Sequence, residues 1–169
     1  QRLCRTLNHQ PVDRVCVDFG ATHVTGISAS ILAKLRYAVL GEKEYRVKIV
    51  DPFQMLGEVD EALMDALGID VMGVLGPRTM FGFENKDWKP FTLFDGTEVL
   101  VAGDFNVTPD GHGGWFLHPG GDISAAPSGH MPQGGFYFDA ICRQEPIDEN
   151  HLDPAENLVE FGILSQTDV

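Results

Sequence analysis

The stretch Ile69-Asp70-Val71-Met72-Gly73-Val74-Leu75 decides the reading of the fold. It is almost continuously apolar, without the alternation of a half-solvated strand. That pattern predicts a parallel strand covered on both faces. Working backwards, residues 52–67 carry Leu56, Val59, Leu63 and Leu67 at helical spacing. Asp51-Pro52 reads as an N-cap with proline in the first turn, and Gly68 as the stop. Val47-Lys48-Ile49-Val50 reads as a short strand or an extended connection. A further helix over 28–40 has Ser28 as N-cap, Ile31, Leu32, Leu35 and Val39 as apolar stripe, and Gly41 as C-cap. Val15-Cys16-Val17-Asp18-Phe19 reads as a buried strand, and residues 2–9 as a short helix ending before Pro11. Strands and helices alternating over short connections predict βαβ units, with 15–20 and 69–75 as neighbouring parallel strands.

Working forwards, the character changes. Phe91-Thr92-Leu93-Phe94, Asp95-Gly96 and Glu98 to Val101 predict a tight antiparallel hairpin. Residues 105–108 and 115–118 form a second candidate pair across Pro109-Asp110-Gly111-His112-Gly113-Gly114. The Gly-, Pro- and Ser-rich stretch 120–135 reads as ordered loop. The region at about 88–139 is therefore expected to be a β-rich excursion from an α/β framework. Asp153-Pro154 predicts a last helix with Leu158, Phe161 and Leu164 on its apolar face. These elements close no sheet, so residues 1–169 read as the incomplete N-terminal part of a single domain.

Composition narrows the functional classes. The chain has 169 residues, 43% of them hydrophobic, and a mean hydropathy of -0.07, the profile of an ordinary globular domain. No apolar run reaches the roughly 18 residues of a membrane span, and the start has no secretory h-region, so a cytoplasmic location is expected. The net charge of -13 repels phosphate backbones and anionic membrane surfaces, so neither nucleic acid nor membrane is an expected partner. Cys4, Cys16 and Cys142 are three in number and far apart, which predicts buried free thiols rather than disulfides or a zinc knuckle.

One set of residues carries a resemblance. Leu7-Asn8-His9-Gln10-Pro11-Val12-Asp13-Arg14-Val15, Asp18-Phe19-Gly20, Thr25-Gly26-Ile27 and Leu67-Gly68-Ile69-Asp70-Val71 resemble the opening of uroporphyrinogen decarboxylase superfamily proteins. Residues 127–132 and 134–139 are similar to a branch grouped with methylcobalamin:coenzyme M methyltransferases. The resemblance implies the N-terminal part of a (β/α)8 TIM barrel, α/β in class, with its site at the C-terminal ends of the strands. It implies cobamide-dependent methyl transfer to a thiol or other acceptor, with decarboxylation of a tetrapyrrole as the alternative. Zinc and a corrinoid are then cofactors of the full-length protein, with none expected on this chain alone. The substrate would be a small molecule or a corrinoid protein, and self-association stays open. On this reading the full-length protein is an enzyme and residues 1–169 alone are inactive. A rival from another class is a non-catalytic subunit that docks through the excursion.

Asp18, Gly20, Thr22 and His23 would lie at the barrel mouth after the first strand, and Gly76, Pro77 and Arg78 after a second. Asp18, His23 and Arg78 are the candidate substrate-binding residues; no catalytic residue or metal ligand is assigned. The sequence departs from the decarboxylase pattern, because residues 20–28 hold no arginine and Asp70 comes early in its strand. Arginine forks are what a polycarboxylate substrate requires, so these departures weigh against tetrapyrrole decarboxylation. His112, His118 and His130 match no zinc spacing. Gly111 to Gly114 is no phosphate loop. Asp60-Glu61 and Asp148-Glu149 read as helix starts and solvated faces.

Overall fold

The sheets are built from short strands, not from the long apolar runs. The computed structural model describes residues 1–142 and Asn150. In chain order it has helices α1 (Arg2–Leu7), α2 (Ala29–Leu40) and α3 (Glu61–Leu67). Strands are β1 (Val47–Asp51), β2 (Leu56–Gly57), β3 (Lys89–Thr92), β4 (Glu98–Val101), β5 (Val107–Pro109), β6 (Trp115–Leu117), β7 (Gly129–Met131) and β8 (Asp139–Ala140). One sheet runs β2-β1-β4-β3 and the other β5-β6-β7-β8. Only β1 and β4 pair in parallel; every other pairing between strands is antiparallel. Among the described residues no helix is long and apolar enough to cross a membrane.

This architecture overturns the expectation of a (β/α)8 TIM barrel. Among the described residues, three helices and two small, largely antiparallel sheets lack the alternation a barrel needs. The physical reason lies in the two apolar runs. Val15 is 81% exposed and Val74 96%, and Met72 and Leu75 are exposed as well. These runs lie side by side, joined by one parallel bridge between Asp18 and Val71 and by the Asp70 amide donating to the Val17 carbonyl. Neither extends into a strand, and nothing among the described residues packs on them as a barrel's interior would. The helix expected over 52–67 is also corrected. Met55 takes a positive φ of 54°, Leu56 joins β2, and only 61–67 is helical. Its N-cap is Asp60, whose side chain accepts from the Leu63 amide.

The excursion expected at 88–139 turns out to hold the centre of the molecule. Val99, Val101, Phe105, Leu117, Met131 and Phe138 share one buried cluster with Leu32, Val47, Ile49 and Leu63. Antiparallel strands with alternating burial, as in β4, put one face into this cluster. Phe91 of β3 meets Trp115 of β6 edge-on at 4.9 Å, and Phe94 stacks on the same indole at 3.8 Å. These aromatic contacts join the two sheets. The hairpin turns at Asp95-Gly96, where Gly96 takes a φ of +82° and its amide donates to the Leu93 carbonyl. β5 and β6 form the second hairpin in the register Val107 to Leu117.

The cysteines are free thiols as expected but are not buried: Cys4 and Cys142 are exposed and Cys16 is half-buried. The helix expected from Asp153 lies outside the described residues.

Candidate functional site

The site begins at the end of β1, where the strand's last residue, Asp51, closes a turn on itself. Its Oδ1 accepts from the amides of Phe53 (2.9 Å) and Gln54 (3.2 Å), the local bond that aspartate before a turn favours. That leaves Oδ2 aimed at the neighbouring loop, where the Nδ1 of His23 lies 3.0 Å away. The loop bearing His23 is held from within. Asp18 Oδ1 accepts from the Ala21 amide and from the Thr25 hydroxyl, the Gly20 amide donates to the Thr25 carbonyl, and Thr22 Oγ1 accepts from the Val24 and Thr25 amides. Its exit is pinned to the sheet, because the Gly57 amide donates to the Ile27 carbonyl and the Ala29 amide to the Met55 carbonyl.

The opposite wall comes from residues 74–85. Gly73 lets it approach: a Cβ there would lie 2.6 Å from the Ala21 carbonyl oxygen. Thr79 donates its amide to Phe83, and Asn85 donates its side-chain amide to the Val50 carbonyl at 2.8 Å, tying this wall to β1. The Thr79 hydroxyl is buried with no hydrogen-bond partner among the described residues.

Between the two walls lies a cleft of about 520 Å³, within the usual range for small-molecule sites. His23 and Arg78 both line it, together with Thr22, Asp51, Phe53, Leu56, Val74 and Met80. Two of the three residues singled out from the sequence thus meet at one cleft, although no barrel mouth brings them there. The third, Asp18, is not among the lining residues. Its carboxylate is spent on the loop's own amide and hydroxyl, so it positions the loop rather than facing a ligand.

Arg78 is the one lysine or arginine of the cleft lining among the described residues, and like Arg5 and Lys43 it is in none of the ion pairs. Arg2, Arg14, Arg36, Arg46, Lys34, Lys48 and Lys86 all sit in ion pairs. Arg78 has no hydrogen bond or ion pair with a described residue; its nearest recorded influence is a weak pull on the Glu84 carboxyl. In a chain with 25 acidic and 12 basic residues, a cation left unpaired in a cleft is a natural partner for an incoming anion.

The remaining candidates resolve as structure. Asp70 takes the Val17 amide and both the Arg14 and Arg2 guanidinium groups, which hold its carboxyl below the usual range. His118 is buried and bonded to Thr108 Oγ1 and to the Ala125 carbonyl. His130 pairs with Asp110 at 2.8 Å. Among the described residues no three His, Cys, Asp or Glu side chains converge as a metal site. The zinc implied by the resemblance therefore has no ligand set among them.

Asp51 is the site residue that the sequence did not disclose. Followed by proline, it matched a helix N-cap, and only its place at a strand end beside another loop reveals it. Comparison with protein-family models, with curated protein sequences and with solved structures finds no match.

Proposed function

We propose that the cleft binds a small anionic organic molecule, and that His23 is the group positioned to give it or take from it a proton. One observation carries the reading: the His23–Asp51 pair opens on the same cleft as an arginine with no ion-pair partner among the described residues. A carboxylate beside Nδ1 favours the proton there and leaves Nε2 with its lone pair, the form a general base needs. Arg78 supplies the anchor for the ligand's charge. The resemblance to the uroporphyrinogen decarboxylase superfamily would make the reaction methyl transfer to a thiol or other acceptor, with a corrinoid-bearing partner. The cleft's own residues support the narrower statement, a small-anion site with a proton-handling imidazole.

The test is a titration of the 169-residue chain with acetate and with inorganic phosphate, followed by NMR at the His23 ring and the Arg78 Nε. Saturable shifts at both are expected, with the His23 shift lost in Arg78→Gln. Shifts that rise linearly without saturation, or survive the substitution, would remove the proposal.

A further inference from the structure

The cleft is charged on only part of its lining, and the rest poses a separate question. Val74, Leu75 and Met80 line it while lying 96%, 52% and 67% exposed, and Phe53, Leu56 and Pro52 add apolar surface beneath them. A single exposed apolar side chain requires no explanation, but three within residues 74–80, all bordering the same cleft, leave apolar surface wetted at a cost. Inorganic anions would use none of it. The polar groups of the cleft are also partly committed: Asp51 Oδ1 is taken by two amides, its Oδ2 faces His23, and the Asn85 side-chain amide is spent on Val50. Arg78 is the single guanidinium of the lining, which matches one acid group rather than several.

Resting on the proposed anion site, we infer that its ligand is an amphiphilic monoacid: one carboxylate or comparable acid head on an apolar body of several carbons. Arg78 takes the head, and Val74, Leu75 and Met80 cover the body. The charge complementarity is local, since the surrounding chain is strongly acidic and would repel a molecule with several acid groups. The apolar wall adds affinity in proportion to the carbon surface it removes from water.

The experiment titrates the 169-residue chain with acetate, butanoate, hexanoate and octanoate, with hexan-1-ol, and with inorganic phosphate, at constant ionic strength. Affinity is expected to rise about two- to fourfold per methylene until the wall is covered, from the free energy of burying a CH2. Hexanoate should bind several-fold more tightly than hexan-1-ol. The double variant Leu75→Gln, Met80→Gln changes only exposed positions and keeps the charge. It should flatten the chain-length dependence. Arg78→Gln should do the reverse, removing the preference for acid over alcohol while the chain-length dependence persists.

Equal binding of acetate and octanoate would overturn the inference and leave the anion site standing. A chain-length dependence unchanged in the double variant would overturn it too, as the apolar contact would then lie elsewhere. Failure of acetate, phosphate and every longer acid to shift His23 or Arg78 would overturn the anion site itself, and this inference with it.

Discussion

The Nδ1 of His23 lies 3.0 Å from Oδ2 of Asp51, so a loop tip and a strand end meet through one side-chain contact. The strand end is held by its own turn, the loop by Asp18, Thr22 and Thr25. The contact therefore joins two locally organised pieces, and its effect on the imidazole can be read separately from their folding.

A carboxylate at that distance disfavours a lone pair on Nδ1, so the neutral ring should carry its proton there. Long-range 15N–1H correlation spectra at pH 8 should show the Nδ1–H tautomer dominant. In Asp51→Ala the intrinsic preference of imidazole for Nε2–H should return. A wild-type ring already in the Nε2–H form would mean that Asp51 does not set its protonation, and the general-base role would fall.

The hairpin gives a test of local geometry. Gly96 has a φ of +82° and open space around its Cα, so a side chain there meets no neighbour. The whole cost of substitution then comes from the backbone. Gly96→Val should cost about 1 kcal/mol or more, because a β-branched residue resists positive φ, while Gly96→Asn should cost less. Urea unfolding midpoints of the three chains would check the order; equal midpoints for Val and Asn would refute it.

Asp60 serves two structures at once. It caps α3 through the Leu63 amide, and it binds the buried Arg36 at 2.6 Å and the Tyr45 hydroxyl at 3.1 Å. Arg36 in turn lies 3.5 Å over the Tyr45 ring. Asp60→Asn keeps a good cap and loses the charge, whereas Asp60→Ala loses both. Ala should therefore be the more destabilising by about 1 kcal/mol, the value of a cap. Chemical denaturation of both variants would measure it, and equal losses would show that α3 is held without its cap.

What was legible in the sequence was local. The turn at Asp95-Gly96, the pairing of 105–108 with 115–118 (observed as 107–109 with 115–117), and the helix ending at Gly41 follow from residues adjacent in the chain, whose conformational demands are short-range. The failures share one cause. An apolar run such as Val71 to Leu75 signals burial but does not say against what, and here it borders an open cleft. Likewise Asp51 before Pro52 satisfies a helix start and a strand-end turn equally well, and only Met55 at positive φ excludes the helix. Within the candidate site, His23 and Arg78 could be suspected from the loops they occupy. Their meeting depends on Gly73 approaching Ala21 and on Asn85 reaching Val50, contacts that no spacing encodes.

The last prediction concerns acid stability. Asp110 accepts from the His112 amide (2.7 Å) and the Gly114 amide (2.8 Å) on one oxygen, and pairs with His130 (2.8 Å) on the other. The His130 ring first, and then these amides, hold its carboxyl down at about 2, against the roughly 3.9 of an unfolded aspartate. A carboxyl depressed in the folded state binds its proton less readily there than when unfolded. Its stabilisation is therefore complete above about pH 4 and is lost as pH falls towards 2. Asp60, Asp70 and Asp95 are depressed in the same sense, so the wild-type curve alone cannot isolate Asp110. The comparison with Asp110→Asn does, because those carboxylates are common to both chains. Urea midpoints between pH 2 and pH 5 should show a gap in favour of the wild type that narrows as the pH falls below about 4. A gap that persists undiminished at pH 2 would mean that the Asp110 charge is not what joins β5 to β7.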